Sequence, residues 1–297
     1  MLKLSNPFSG LGQIVEENVP LAPFAWYRIG GPARWLIRPQ SVEEFAEAAR
    51  RCAQSQIRTY VLGLGANLLI SDAGVDGAVF RLDGEFWRRV QYTDSRVEVG
   101  AGVDMQKLLL RTVRQGLAGI ECLAGIPGTI GGGIRMNAGG KFGDIGSVVL
   151  HVQVMDASGN LFMRTKDDLV FDYRCTNISA PYILSATLQL EPDEPERILR
   201  KTKEIWMYKR NTQPLNTKNA GCIFKNPRGV SAGALIDQAG LKGLRVGGAE
   251  ISTKHANFII AHPGCTADDI LTTIKLIREK VFDRNQIHLE SEVQVWP

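Results

Sequence analysis

Apolar and polar positions along this chain alternate in some blocks and recur at helical spacing in others, so strands and helices are expected to mix throughout. WLIRP (35–39) is a short apolar strand. Ser41 opens SVEE, a Ser-x-x-Glu capping box, and Phe45, Ala48 and Ala49 give the helix after it one apolar side. TYVLGLGANLLISDAGVDGAVFRL (59–82) holds two apolar strands around loops at Gly63–Asn67 and Asp72–Gly77. RVEVGA (96–101) alternates like a half-buried strand. From Asp104 to Gln115, Leu108, Leu109 and Val113 fall on one helical face, and Gly116 ends the helix. Val148–Met155 and Leu161–Arg164 read as a hairpin around DASGN, and Leu169–Arg174 leads into the alternating strand Tyr182–Leu190.

At Glu191 the pattern breaks. EPDEPE (191–196) is a charged, proline-containing hinge, and a domain boundary is expected there, between 1–192 and 193–297. A helix Arg197–Arg210 follows, with Ile198, Ile205 and Trp206 as its buried positions. After the turn at Gln213-Pro214 come a short helix at Ala234–Ala239, a strand Phe258–Ala261, a helix begun by the Thr266-x-x-Asp269 box, and a strand His288–Trp296. The fold class this implies is α+β, a larger N-terminal and a smaller C-terminal domain.

Composition narrows the classes of function. A chain of 297 residues, 44% hydrophobic and 22% charged, can bury a sizeable core. Its net charge of +4 is dispersed, which suits an anionic small molecule and disfavours nucleic acid. MLKLSNPFSGLGQ has no apolar region or cleavage site of a signal peptide, and no apolar run is long enough to cross a bilayer. The five cysteines show no CxxC and no even pairing, which points to reduced thiols and a cytoplasmic protein. Four dispersed histidines argue against a metal site.

The least ordinary stretch is GIPGTIGGGIRMNAGG (125–140). It is too rich in glycine for a helix or strand and too apolar for a linker, so an ordered loop is expected. Such a loop brings backbone N–H groups close to a phosphate-bearing cofactor, or else is a set of turns with no ligand. GLGANL (63–68) invites a dinucleotide-site reading, but Leu68 stands where the third glycine belongs and LLISDAG does not open a helix. A Rossmann site is therefore rejected, while a pyrophosphate wrapped in another geometry, with Asn67 as an added donor, stays open.

YRIGGPA (27–33), GLGANLLISDAG (63–74), GIPGTIGGGIRMNAG (125–139), FDYR (171–174), GCIFKNP (221–227), LIDQAGLKG (235–243) and SEV (291–293) together resemble, in order and spacing, the UDP-N-acetylenolpyruvoylglucosamine reductases. The resemblance covers nearly the whole chain, and the modest length matches the shorter of that family's two types. It implies a flavoenzyme of the second committed step of peptidoglycan precursor synthesis, with the FAD-binding fold of vanillyl-alcohol oxidase relatives and a C-terminal substrate domain. FAD would be held non-covalently, with NADPH as hydride donor and a UDP-sugar as substrate; a cytoplasmic monomer is expected.

The resemblance also assigns residues. The FAD pyrophosphate would lie against Gly63, Gly65, Ala66, Asn67 and Leu68, and against Gly125, Ile126, Pro127, Gly128, Thr129, Gly131 and Gly132. Arg28, Asn137 and Ala138 would be near the isoalloxazine or its phosphates. Hydride addition to C3 of an enolpyruvyl ether puts electron density on C2 and the carboxylate, so the site needs a fixed cation and a proton donor. Arg174 matches the family arginine, whose planar fork suits the carboxylate; a structural ion pair is the alternative. Glu292 matches the catalytic glutamate, expected to be buried with a raised pKa rather than an exposed strand carboxylate, and Glu290 is its near look-alike.

Cys222 stands where the family has serine as proton donor. A thiol is a stronger acid than an alcohol and can fill that role; the alternative is an inert cysteine with the proton coming from water. Asn226 and Lys242 match substrate contacts, the lysine at the diphosphate, with Lys225 and Arg210 as weaker candidates and Tyr173 as substrate shelf or packing. Gln294 departs from the arginine the family often carries. The rivals are a flavin oxidase of the same superfold acting on an alcohol, and a nucleotide-binding module without catalysis.

Overall fold

The computed structural model of the protein describes residues 7–297; the part of the signal-peptide reading that falls on 1–6 lies outside the described residues. Helices and strands alternate through the whole described chain. They form two compact units. Of the described residues, the first comprises 7–19, 34–64 and 76–207, the second 20–33, 65–75 and 208–297. A single cut near residue 192 is thus not how the units divide. The helix α4 of residues 195–212 begins in the first unit, and two early loops belong with the C-terminal part.

The first unit contains two sheets. One has the order Val15–Pro20, Pro32–Ile37, Val75–Arg81, Thr59–Leu62, with the last pair parallel. The other is fully antiparallel, in the order Leu161–Thr165, Val149–Met155, Tyr182–Gln189, Arg96–Gly100, Val90–Thr93. Its register sets Val99 opposite Ala186 and Ala186 beside Val152, and all three are buried. That is the outcome of the alternation read from RVEVGA and YILSATLQL. The hairpin 149–165 turns through Asp156–Asn160 as expected.

Helix α1 (Val42–Gln54) buries Phe45, Ala48 and Ala49. Phe45 lies 4.7 Å from the Phe80 ring, 5.8 Å from Trp87 and 4.8 Å from Tyr182, so one helix residue touches aromatic rings from both sheets. Each such pair contributes about 0.5–1.5 kcal/mol beyond its burial. The capping box forms only in half. Ser41 Oγ accepts from the Glu44 N–H, while the Glu44 carboxylate turns to the N–H of Gln40. Helix α2 (Met105–Arg114) buries Leu108, Leu109 and Val113 behind an Asp104 cap.

The glycine stretch departs from the expected loop. Ile130–Arg135 is a helix, α3. Thr129 Oγ1 caps it by accepting from Gly132 N–H, and Ile130 and Ile134 are buried on either side of the glycines. The N–H groups of Ile130 and Gly131 donate to the carbonyls of Val103 and Ala101, so tertiary hydrogen bonds and packing override glycine's poor helix propensity.

The second unit has its own core, built from Ile223, Phe224, Leu235, Ile236, Ile251, Ile259, Ile270 and Ile274 among others. Helix α5 (Ala232–Gln238) and helix α6 (Ala267–Asn285) pack with the strands Ala249–Ile251 and Ile259–Ala261. The α6 capping box is complete, with Thr266 and Asp269 each accepting from the other's N–H. Asp72, from one of the early loops, accepts from the N–H of Ala267 at 2.8 Å. LLI (68–70), expected to continue an apolar strand of the first half, instead forms a parallel pair with Gln294–Trp296. The strand expected over 288–296 is confined to that last segment. Trp206 is 41% exposed on α4, whereas Ile198 and Ile205 are buried. Among the described residues, no helix is long and apolar enough to cross a membrane.

Candidate active site

In the second unit, GCIF and SEV come together. Glu292 N–H donates to the Ile223 carbonyl at 2.8 Å, Phe224 bridges Ser291, and Lys225 N–H donates to the Glu290 carbonyl at 2.9 Å. The segments 223–225 and 290–292 therefore run antiparallel, and Cys222 is one residue from the carbonyl that holds Glu292. Both Cys222 and Glu292 are half-buried, so the full burial expected for the glutamate is not what the fold provides. Asn67 joins them. Its Nδ2 donates to the Glu292 carbonyl at 3.1 Å, and its own carbonyl accepts from Gln294 N–H at 3.1 Å.

The remaining candidates of this unit are mostly engaged with neighbouring side chains. Lys225 Nζ lies 2.5 Å from Glu290, and Lys242 Nζ lies 2.6 Å from Asp237. Asn226 Oδ1 accepts from Ala232 N–H at the start of α5. The Arg210 carbonyl takes a short hydrogen bond from Lys254 Nζ, 2.5 Å long. Arg28, at φ +61, donates to the Pro23 carbonyl.

In the first unit, FDYR is a small hairpin in which Phe171–Asp172 pairs with Cys175–Thr176. Arg174 occupies its tip at φ +58, its guanidinium 5.0 Å from the ring of exposed Tyr173. Two residues at the C-terminal end of α3 secure this hairpin. Buried Asn137 donates from Nδ2 to the Asp172 carbonyl at 3.0 Å and accepts from Gly146 N–H on Oδ1. Arg135 donates to the carbonyls of Ile178, Ala180 and Pro181. Asn137 thus spends its side chain tying the hairpin that carries Arg174 to Gly146.

The cofactor loops can be tested for fit with FAD on their backbone. In the first unit Gly63 lies so close to Thr129 that a Cβ would fall 2.6 Å from its Oγ1, which brings the two predicted loops side by side. In the second unit Gly65, at φ +64, would set a Cβ 2.3 Å from the Phe24 carbonyl oxygen. The N–H groups of Gly65, Ala66 and Asn67 donate to no protein acceptor among the described residues, an arrangement that suits a phosphate. Gly125 N–H donates to Gln106 Oε1, and Gln106 Nε2 returns to the carbonyls of Leu123 and Ile126. That side chain braces the Gly125–Gly128 turn and had no signal in the sequence beyond its place on α2. Within the second unit, the N–H groups of residues 65–67 thus fit a phosphate of a bound dinucleotide.

Comparisons with known proteins bear on the family of the chain. Residues 33–163 match an FAD-binding domain model, and residues 213–296 match the UDP-N-acetylenolpyruvoylglucosamine reductase C-terminal domain. UDP-N-acetylenolpyruvoylglucosamine reductase 2 of Symbiobacterium thermophilum is 39% identical over 95% of this chain and 92% of its own. The chain belongs to the UDP-N-acetylenolpyruvoylglucosamine reductase family. The reductase of Moorella thermoacetica is likewise 39% identical, over 97% of this chain and 95% of its own. The crystal structure of the reductase of Thermus caldophilus superposes with a TM-score of 0.83 at 38% identity, covering 95% of this chain and 99% of that one. As a member of this family the chain is an FAD-dependent oxidoreductase with the α+β, FAD-binding fold read from its sequence.

Proposed function

We propose that the protein reduces UDP-N-acetylglucosamine enolpyruvate to UDP-N-acetylmuramate at the expense of NADPH, in the cytoplasm and as a monomer. FAD, when bound, would supply the hydride chemistry between NADPH and the enolpyruvyl double bond. The Arg174 guanidinium holds the substrate carboxylate and stabilises the charge that develops on it. The Cys222 thiol donates the proton to C2, leaving a thiolate that solvent reprotonates. Glu292, held beside Cys222 by the Ile223 carbonyl, orients that donor. Lys242, Lys225, Asn226 and Arg210 meet the anionic nucleotide, with Tyr173 as a shelf. Residues 65–67 and the turn 125–128 would hold the cofactor's pyrophosphate, with Arg28 and Ala138 as further contacts.

The observation that carries this reading is the pairing of the Glu292 N–H with the carbonyl next to Cys222 in a chain of this family. An oxidase acting on an alcohol needs no such pair of a thiol and a carboxyl group. The test is spectroscopic. The purified yellow protein is expected to bleach with NADPH under anaerobic conditions and to regain its colour on adding the enolpyruvyl sugar nucleotide. Cys222→Ala is expected to bleach normally and fail to recover. Bleaching that only oxygen reverses sinks the reductase reading, and a Cys222→Ala variant that recovers at the native rate sinks the donor assignment.

A further inference from the structure

Asn257 lies just before the strand Ile259–Ala261 and is only 2% exposed. Its side chain is devoted to a single residue. Oδ1 accepts from Phe224 N–H at 3.0 Å, and Nδ2 donates to the Phe224 carbonyl at 2.8 Å. Its backbone carbonyl accepts from Ile223 N–H at 2.9 Å. The two residues that follow Cys222 are therefore held by three hydrogen bonds from one buried asparagine.

The same short segment faces 290–292 along its other edge, through the Ile223 carbonyl and the Lys225 N–H. Residues 223–225 are thus the middle ply, with Asn257 on one side and the glutamate segment on the other. A carboxamide offers one donor and one acceptor side by side, as a peptide group does, so Asn257 takes the place of a strand partner. An aspartate lacks the donor, and an apolar residue lacks both. On the opposite flank, Oδ1 of buried Asn219 accepts from Gly221 N–H at 2.9 Å. Cys222 is bracketed by two buried asparagines, each of which hydrogen-bonds the backbone of a residue next to it or one further on.

We infer that Asn257 is a positioning residue for sugar-nucleotide reduction: by fixing Ile223 and Phe224 it sets Cys222 in register with Glu292. This rests on the reading of Cys222 as proton donor given above. Asn257 touches neither substrate nor cofactor in this scheme and acts through Cys222 alone.

The test uses the flavin-loaded protein carrying Asn257→Ala or Asn257→Asp. Bleaching by NADPH is expected to proceed at the native rate, while recovery with the enolpyruvyl sugar nucleotide slows by about a hundredfold in Asn257→Ala, as displacement of a reacting group by an ångström does. The loss is expected in kcat, with KM for the sugar nucleotide little changed. Asn257→Asp keeps the acceptor for Phe224 N–H and is expected to fall between the native protein and Asn257→Ala. A second readout is independent of turnover. The rate of Cys222 alkylation by iodoacetamide, read by peptide mass against exposed Cys175, is expected to change in both variants. If Asn257→Ala does not fold, Asn257→Asp carries both readouts. Equal slowing of the two half-reactions, or a Cys222 to Cys175 alkylation ratio equal to the native one, overturns the inference. Cys222→Ala separates the two readings. If it recovers normally the donor assignment fails, whereas if it fails to recover and the Asn257 variants behave as native, only the positioning role fails.

Discussion

Asn67 Nδ2 donates to the backbone carbonyl of Glu292, and the Asn67 carbonyl accepts from Gln294 N–H, both at 3.1 Å. The loop whose free N–H groups suit a phosphate is thereby tied to the segment that carries the candidate glutamate. Asn67→Ala keeps the backbone donors and removes the tie. Flavin content, measured as the ratio of visible to ultraviolet absorbance, is expected to stay native while turnover falls about tenfold, the factor equivalent to one hydrogen bond of roughly 1.4 kcal/mol. Loss of flavin in step with turnover would instead make the Asn67 side chain a cofactor contact.

Gly65 is where that loop is least tolerant. It has φ +64, and a Cβ there would collide with the Phe24 carbonyl, a backbone atom. Gly65→Ala must shift either that backbone or its own turn, which costs about 1–3 kcal/mol where positive φ and a close approach coincide. The thermal midpoint of the flavin-free protein is expected to drop by several degrees, with flavin binding weakened further. An unchanged midpoint by circular dichroism would mean the turn relaxes without penalty.

The parts of this fold that were legible in the sequence are those decided locally. Thr266 and Asp269 lie three residues apart and cap α6 reciprocally, and the alternation in 149–155 and 182–189 sets which face is buried. The parts that were not legible depend on distant partners. The glycines of 131–133 enter a helix because Val103 and Ala101 supply acceptors for its first turn. LLI (68–70) leaves its neighbours to pair with 294–296 at the far end of the chain. Arg174, Cys222 and Glu292 could be named by resemblance, but Asn257, Gln106 and Arg135 could not. Each works through main-chain carbonyls and N–H groups, which leave no mark on residue type.

Arg135 is the strongest example. Its half-buried guanidinium donates to three carbonyls of residues 178–181, and burial lowers its pKa from the ordinary arginine value. Methionine would keep the packing and leave those carbonyls without a donor. Arg135→Met is expected to loosen the 171–181 segment, giving faster amide hydrogen exchange there than in Tyr182–Gln189, and to raise KM for the sugar nucleotide because Arg174 sits on that segment. Native exchange across 171–181 would show that the two short strands hold the hairpin unaided.

The second unit also contains a buried base whose titration is coupled to folding. His255 is held below its ordinary pKa, chiefly by burial and further by the charge of Lys242. Its Nδ1 accepts from Asn257 N–H at 3.2 Å, which requires the neutral ring. Between the lowered folded value and the unfolded value of about 6.5, the unfolded chain binds more protons, so stability rises with pH across that window. The contribution is complete above about pH 6.5 and is lost as the pH falls through the lowered folded value. Thermal midpoints measured from pH 8 to pH 5 are expected to decline in the native protein and to decline less in His255→Gln, which cannot take up a proton. The protonated ring would also withdraw the acceptor from Asn257, so recovery of flavin colour with the sugar nucleotide is expected to fall over the same window. Parallel midpoint curves for the two proteins would place the acid sensitivity elsewhere.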